Sequence, residues 1–218
     1  MQRVLEPEYM DTVQEAESYA AMDHAAVNSA VAGRFVELGA PGCRRIVDLG
    51  CGPGDIPLLL AERCPDATIV GVDAAATMLA LARPKAERAG LGGRVTFEQA
   101  DVKALPFADG AFDGVFSNTI LHHIPDPVEF LREAARVLAP GGVLLVRDLY
   151  RPATLAEAEA LVALHAAAAP PDQQQLLLQS LCAALTLDEA RAAADRAGLG
   201  HARVAMSSDR HYSIEIGR

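Results

Sequence analysis

Residues 46–54, IVDLGCGPG, decide how the rest of the chain is organised. The stretch begins as a short buried strand that ends at Asp48. Gly50, Gly52 and Gly54 follow, and three glycines in five residues allow a tight turn with positive φ and a close approach of backbone to a ligand. The sequence therefore predicts a strand, a glycine turn and then a helix.

The helix predicted at 55–63 would present free N–H groups and the positive end of its dipole at the turn. Dinucleotide sites use such an end with the spacing GxGxxG, whereas this chain has GxGxG preceded by an acid. Asp48 would repel a pyrophosphate but could accept from an ammonium group, which favours a zwitterionic ligand. The alternative is a turn that only joins strand to helix.

A second acid, Asp73, ends the next strand-like run, ATIVGVD. A Rossmann-type site places its ribose-hydroxyl acceptor at this position. The pattern of two strand-end acids around a glycine turn favours a ligand that contains a nucleoside. The alternative role for Asp73 is a helix N-cap.

Four ordered segments carry a resemblance: VDLGCGPG at 47–54, GVDAAATML at 71–79, ADVKALPFADGAFDGVFSNTILHHIPDP at 100–127 and LREAARVLAPGGVLLVRD at 131–148. In these segments the chain resembles the class I S-adenosylmethionine-dependent methyltransferases, in the branch that includes quinone-biosynthesis and other small-molecule enzymes. The resemblance implies S-adenosyl-L-methionine as cofactor and methyl transfer to a small-molecule acceptor by in-line displacement.

The resemblance also implies roles for individual residues. Asp48 would lie near the amino group of the cofactor, Asp73 would accept from both ribose hydroxyls, and Asp101 would bind the adenine amino group. The implied cofactor-binding residues are Asp48, Gly50, Cys51, Gly52, Gly54, Asp73, Ala74, Met78, Asp101, Val102 and Asn118.

Strand and helix patterns alternate through the core, which predicts an α/β fold with helices on both faces of a parallel sheet. The fold class expected is a Rossmann-like, doubly wound, seven-stranded sheet, mostly parallel with an antiparallel last strand, plus a helical cap. The chain is interpreted as one methyltransferase domain with four parts: an N-terminal helical segment (1–40), a cofactor-binding core (43–148), a helical cap (153–184) and a closing helix with a β-hairpin (185–218).

His122 and His123 follow the fourth predicted strand, and Asp148 ends the fifth. These three are the candidate catalytic residues, because histidine has the intrinsic pKa of a base near neutrality. The alternative is a structural histidine that holds the following IPDP turn. No metal site is expected, since the two histidines are adjacent rather than at i, i+4 and no acid spacing completes a site.

A weaker set of residues is predicted to contact the substrate. In related enzymes the N-terminal segment supplies an aromatic hydroxyl near the cofactor carboxylate. Other residues of the set follow the fifth predicted strand or lie on the turn of the predicted closing β-hairpin. Asp148 and Arg151 could instead pair with each other. The set is Tyr9, Tyr19, His24, Tyr150, Arg151, Arg210 and His211.

The amino-acid composition limits the kinds of partner and location that are expected for the chain. The net charge is −10 without a long basic cluster, which argues against nucleic acid as substrate, and no apolar run is long enough for a membrane span. The four cysteines have no metal-ligand spacing, which is typical of a reduced cytoplasmic protein. We expect a monomer or homodimer. The alternative functions are a non-catalytic S-adenosylmethionine-binding partner module and a nucleotide-binding Rossmann enzyme.

Overall fold

The computed structural model describes residues 1–7, 11–20, 22 and 24–218, except for the side chain of Glu15. The described residues form seven strands and eight α-helices. The strands are β1 Arg45–Leu49, β2 Thr68–Asp73, β3 Val95–Gln99, β4 Phe112–Asn118, β5 Leu138–Leu149, β6 Arg203–Met206 and β7 His211–Ile216. The helices are α1 Val13–Ala20, α2 Ala25–Glu37, α3 Asp55–Arg63, α4 Ala76–Arg88, α5 Pro127–Val137, α6 Leu155–His165, α7 Pro171–Ala183 and α8 Leu187–Arg196.

The strands form one sheet in the order β3-β2-β1-β4-β5-β7-β6. β1 to β5 are parallel, while β7 runs antiparallel to β5 and β6 antiparallel to β7. This confirms the predicted Rossmann-like, mostly parallel sheet of seven strands. The strand order reverses between β1 and β4, so the carboxyl ends of these two strands flank the crevice where such sheets bind ligands.

The two larger apolar clusters among the described residues share the same buried strands. One includes Val47, Leu49 and α5 and α8 residues, and the other includes Ile46 and residues of α2 and α3. Successive strand residues point to opposite faces, so both faces of β1 are buried. This explains why Ile46, Val47 and Leu49 are apolar although they point to different faces of the sheet.

Side-chain caps begin several helices. Thr154 and Thr186 each form a complete capping box with the glutamate three residues later. Asp126 accepts from the amide of Val128 at the start of α5. α7 begins at Pro171 without a side-chain cap.

The expected N-terminal helical segment contains two helices: α1 ends at Ala20 and α2 begins at Ala25. Residues 1–7 are not helical and run beside the cap, where the amide of Val4 donates to the carbonyl of Cys182 at 3.1 Å. Within the described residues, every helix is too short or too polar to cross a membrane.

Candidate cofactor and acceptor site

The glycine turn adopts the backbone conformation that its sequence predicts. Gly50, Gly52 and Gly54 have φ of +76°, +51° and +83°. The amides of Gly50 and Cys51 both donate to the carbonyl of Val72, at 2.8 and 2.9 Å, which ties the turn to the end of β2. The thiol of Cys51 is buried, which raises its pKa well above the ordinary value, so it is a neutral packing group.

Asp73 links the glycine turn to the following helix. Its Oδ2 accepts from the amide of Gly52 at 2.8 Å and its Oδ1 from the amide of Ala75 at 2.9 Å. Burial raises the pKa of Asp73, although these hydrogen bonds act in the opposite direction. Asp73 therefore orients the turn, and each of its oxygens retains a further lone pair for a ligand donor.

Asp48 is the most buried acid of this site, with 1% of its surface exposed. Its Oδ2 has no hydrogen-bond partner among the described residues. Burial and the nearby charge of Asp73 raise the pKa of Asp48 well above its ordinary value. A buried carboxyl of this kind is stabilised as a carboxylate only when a cation or further donors approach it.

A cavity of about 460 Å³ opens beyond the ends of β2 and β3. Ala74 and Asp101 line it together with Asp11, Gln99 and Ala100. Asp101 Oδ1 accepts from the amide of Lys103 at 2.8 Å and lies 3.0 Å from its ammonium. Predicted residues of the adenine site therefore border this cavity, while Met78 and Val102 are almost fully buried.

Helix α1 lies over the glycine turn. A Cβ at Gly52 would stand 3.9 Å from Cε1 of Tyr19, and the rings of Tyr19 and His24 are 5.2 Å apart. Burial and the surrounding acids Asp55, Asp73 and Asp48 raise the pKa of Tyr19 to about 12, so its hydroxyl stays protonated. Tyr9, the other predicted tyrosine, lies outside the described residues.

His122 is held between two carboxylates. Its Nδ1 donates to Asp148 Oδ1 at 2.6 Å, its backbone amide donates to Asp148 Oδ2 at 3.0 Å, and its Nε2 lies 3.2 Å from Glu6 Oε1. Burial alone would lower the pKa of His122, but the charges and hydrogen bonds of Asp148 and Glu6 outweigh burial and raise it to about 9. His122 is therefore an imidazolium near neutrality.

This geometry does not favour His122 as the predicted general base. Both of its ring nitrogens face carboxylates, and in the imidazolium both already carry a proton. It agrees better with the structural alternative. His123 has a lowered pKa, through burial and the charge of His122, and its Nδ1 lies 3.0 Å from the carbonyl of Pro7. Its catalytic role stays a prediction.

Asn118 lies at the end of β4, beside the crevice. Its Oδ1 accepts from Arg147 Nη1 at 3.0 Å. Burial and the charge of Arg210 lower the pKa of Arg147 to about 10, and burial with both arginines lowers the pKa of His211 to about 3. Arg147 thus contacts Asn118, and the charge of Arg210 acts on both Arg147 and the uncharged His211.

Arg151 lies elsewhere and does not pair with Asp148, so that alternative was wrong. Its Nη2 donates to Glu189 Oε1 at 2.6 Å, which fixes the chain after β5 to α8. Tyr150 is half-buried and its amide donates to the carbonyl of Arg210 at 2.8 Å. The backbone of Tyr150 therefore joins the closing turn to β5.

Two residues of the site were missed from the sequence. Glu6 stands in a segment without periodicity, so nothing local indicates that it reaches His122. Arg147 follows a buried apolar run inside the segment VLLVRD, and its position next to the predicted Asp148 was the only available signal.

The sheet order, the glycine turn and the two acids define a Rossmann-like fold of the S-adenosylmethionine-dependent methyltransferase type. Residues 47–146 match the family described as "Methyltransferase domain". The match covers just under half of the chain.

Two relatives and one solved structure illustrate the similarity. The chain is 50% identical over 109 residues to demethylmenaquinone methyltransferase of Thermus thermophilus, covering 50% of this chain and 49% of that protein. It is 46% identical over 112 residues to trans-aconitate 2-methyltransferase of Methylobacterium nodulans, covering 51% and 40%. A SAM-dependent methyltransferase from Aquifex aeolicus shares the fold, with a TM-score of 0.67, 16% identity, and coverage of 94% and 97%. The chain thus spans less than half the length of those two relatives.

Proposed function

We propose that this chain binds S-adenosyl-L-methionine and transfers its methyl group to a small-molecule acceptor. The observation that carries the proposal is the arrangement of Asp48, Gly52 and Asp73 at the carboxyl ends of β1 and β2. An unpartnered buried carboxylate oxygen, a glycine turn and a second acid converge on one crevice. The match of residues 47–146 to the methyltransferase domain family supports the same activity.

The residues of the crevice fit the cofactor group by group. The Oδ2 of Asp48 would accept from the ammonium, which would stabilise the ionised carboxyl in its buried position. Asp73 would accept from the ribose hydroxyls through its remaining lone pairs. The cavity lined by Ala74 and Asp101 would receive the adenine.

The cofactor supplies an electrophilic methyl group on a sulfonium when it is bound. The chain would contribute position and exclusion of water rather than covalent chemistry. α1 and the ring of Tyr19 would cover the glycine turn, while Asn118 would face the reacting end. The His122 imidazolium would fix the loop after β4 rather than take a proton.

Arg147 and Arg210 favour an acceptor that carries a negative charge. Within the described residues, neither guanidinium forms an ion pair with a carboxylate, because Asp148 is bound to His122 and Asp209 to His165 at 2.6 Å. Partly buried cations without a counter-ion are stabilised when an anion approaches. A carboxylate on the acceptor would meet this need beside Asn118.

Calorimetry with S-adenosylmethionine, S-adenosylhomocysteine and a nicotinamide dinucleotide tests the cofactor assignment. We expect the first two to bind and the dinucleotide not to bind; the reverse result would favour the nucleotide-binding Rossmann enzyme. A turnover screen over acids, phenols, thiols and amines, read as S-adenosylhomocysteine release, then separates an enzyme from a non-catalytic binding module.

The four cysteines are free thiols, which favours a cytoplasmic location. We place the enzyme there as a monomer or homodimer that does not act on nucleic acid. Gel filtration with light scattering checks the oligomeric state, and fractionation of cells that express the chain checks the location.

A further inference from the structure

A cluster of three potential metal ligands lies outside the proposed cofactor site. Glu6 Oε1 is 3.2 Å from His122 Nε2 and 3.3 Å from His123 Nδ1. One ligand atom from each residue lies within 4.8 Å of the others. We infer that Glu6, His122 and His123 form a binding site for a divalent transition-metal ion with the ligand preferences of zinc.

The distances within the cluster suit such an ion. Imidazole nitrogens and carboxylate oxygens bind Zn²⁺ at about 2.0–2.1 Å, so two ligands of a tetrahedral ion stand about 3.3 Å apart. The two separations from Glu6 match this edge length. The two histidine nitrogens also lie within 4.8 Å of each other, so all three ligand atoms can face one ion.

Asp148 provides the outer partner that metal-binding histidines normally have. A histidine that binds a metal through one nitrogen usually donates its other N–H to a carboxylate or carbonyl, which fixes the ring and increases its basicity. Nδ1 of His122 donates to Asp148 Oδ1 at 2.6 Å. This contact holds the ring so that Nε2 is directed to Glu6.

The chain also holds Glu6 in place before any ion binds. Arg3 donates to the carbonyls of Ile124 and Ala183, at 2.9 and 2.6 Å, and so fixes residues 1–7 between the loop after β4 and the end of α7. The hydroxyl of Ser180 donates to Glu6 Oε1 at 3.1 Å. Ligands on a supported framework bind an ion with less loss of conformational entropy.

Metal binding would change the protonation of the two histidines. His122 would release the Nε2 proton that now lies between it and Glu6. His123 would bind through Nδ1 as the tautomer that carries its proton on Nε2, and would give up the contact with the carbonyl of Pro7. Three protein ligands leave a fourth position for water.

Direct metal binding tests the inference without reference to methyl transfer. Untagged protein is freed of metal with EDTA, dialysed, and titrated with Zn²⁺ in equilibrium dialysis and with Co²⁺ by visible absorption. We expect one Zn²⁺ per chain and a Co²⁺ spectrum of the intense tetrahedral kind. Glu6→Gln and His123→Gln should each weaken Zn²⁺ binding at least about tenfold, and Asp148→Asn about 10–100-fold.

His165→Gln is the matched control, because His165 also lies 2.6 Å from an aspartate but belongs to no cluster of three ligands among the described residues. It should bind Zn²⁺ as the unaltered chain does. Circular dichroism of each variant verifies that it is folded. The inference is overturned if the unaltered chain retains no Zn²⁺, or if Glu6→Gln and His123→Gln bind the ion as tightly as the control does.

Discussion

Asp148 holds His122 through two hydrogen bonds, from the ring Nδ1 at 2.6 Å and from the backbone amide at 3.0 Å. Both residues are buried, with 1% and 3% of their surfaces exposed. The positive charge of His122 keeps the pKa of Asp148 below its ordinary value, although burial alone would raise it. The end of β5 is therefore fixed to the loop after β4 by a buried ion pair.

This ion pair predicts a pH dependence of stability. The pKa of His122 rises from 6.5 to about 9 on folding. A raised pKa contributes stability that is fully present below about pH 6.5 and is lost as the pH rises through about 9. Between pH 6.5 and 8.5 the free energy of unfolding should fall by an amount on the order of 2 kcal/mol, from 1.36 kcal/mol per pH unit. Urea unfolding of metal-free, EDTA-treated protein across this range measures the fall, because a metal ion on Nε2 of His122 would displace the proton that titrates.

Glu6→Gln removes one of the two carboxylates that stabilise the His122 imidazolium. The unfolding free energy of this variant should therefore fall less steeply over the same pH range. His123 and His211 do not interfere, because their lowered pKa values affect stability only below about pH 6.5. His165→Gln serves as the control and should keep the full slope. An unfolding free energy of the unaltered chain that stays level from pH 6.5 to 8.5 would contradict the prediction.

Asp73→Ala should weaken S-adenosylhomocysteine binding by roughly 10²-fold. The change removes the proposed acceptor of two ribose hydroxyls, and a hydrogen bond to a charged group contributes about 1.5–3 kcal/mol. It also removes the acceptor of the Gly52 amide. Isothermal titration calorimetry measures the affinity, with Asp66→Ala as a control for loss of an exposed acid. Equal affinities of the two variants would refute the assigned role.

Gly54→Ala should destabilise the fold more than Gly90→Ala. Both glycines have positive φ, +83° and +69°, so both changes incur the left-handed backbone cost of about 1–2 kcal/mol. Only at Gly54 would the new Cβ also lie 2.8 Å from the Cβ of Ala82, whereas nothing lies within 4 Å of it at Gly90. We expect about 1–3 kcal/mol of further loss from this overlap, measured by chemical denaturation.

The comparison fails if the two alanine variants unfold at the same denaturant concentration. Such a result would mean that α3 and α4 separate easily at the glycine turn.

Arg147→Gln should lower kcat/KM for an acidic acceptor by about 10–10²-fold and leave its neutral methyl ester nearly unaffected. The physical reason is the loss of a charge-assisted hydrogen bond to the acceptor, worth about 1.5–3 kcal/mol. The assay compares an acid from the turnover screen with its ester. Arg132→Gln, at an exposed position of α5, controls for the change in net charge.

S-adenosylhomocysteine affinity separates two kinds of failure here. If Arg147→Gln binds this product normally but affects acid and ester equally, the anionic acceptor is wrong while the methyl transfer proposal stands. If Arg147→Gln no longer binds S-adenosylhomocysteine, Arg147 contacts the cofactor rather than the acceptor.

Features that depend on neighbours in the chain could be predicted from the sequence. The glycine turn follows from the need for positive φ at Gly50, Gly52 and Gly54, and the capping boxes at Thr154 and Thr186 close within one helical turn. The alternation of strands and helices then requires a parallel sheet, and the sheet places Asp48 and Asp73 at one edge.

Only the tertiary structure decided which distant side chains meet there. Glu6 reaches His122 because residues 1–7 lie against α7, and Arg147 reaches Asn118 because β4 and β5 are adjacent strands. Arg151 turns to Glu189 instead of Asp148 for the same kind of reason. The sequence by itself determined the local backbone and the strand ends. The tertiary structure determined the protonation of His122, since that depends on charges brought together by packing.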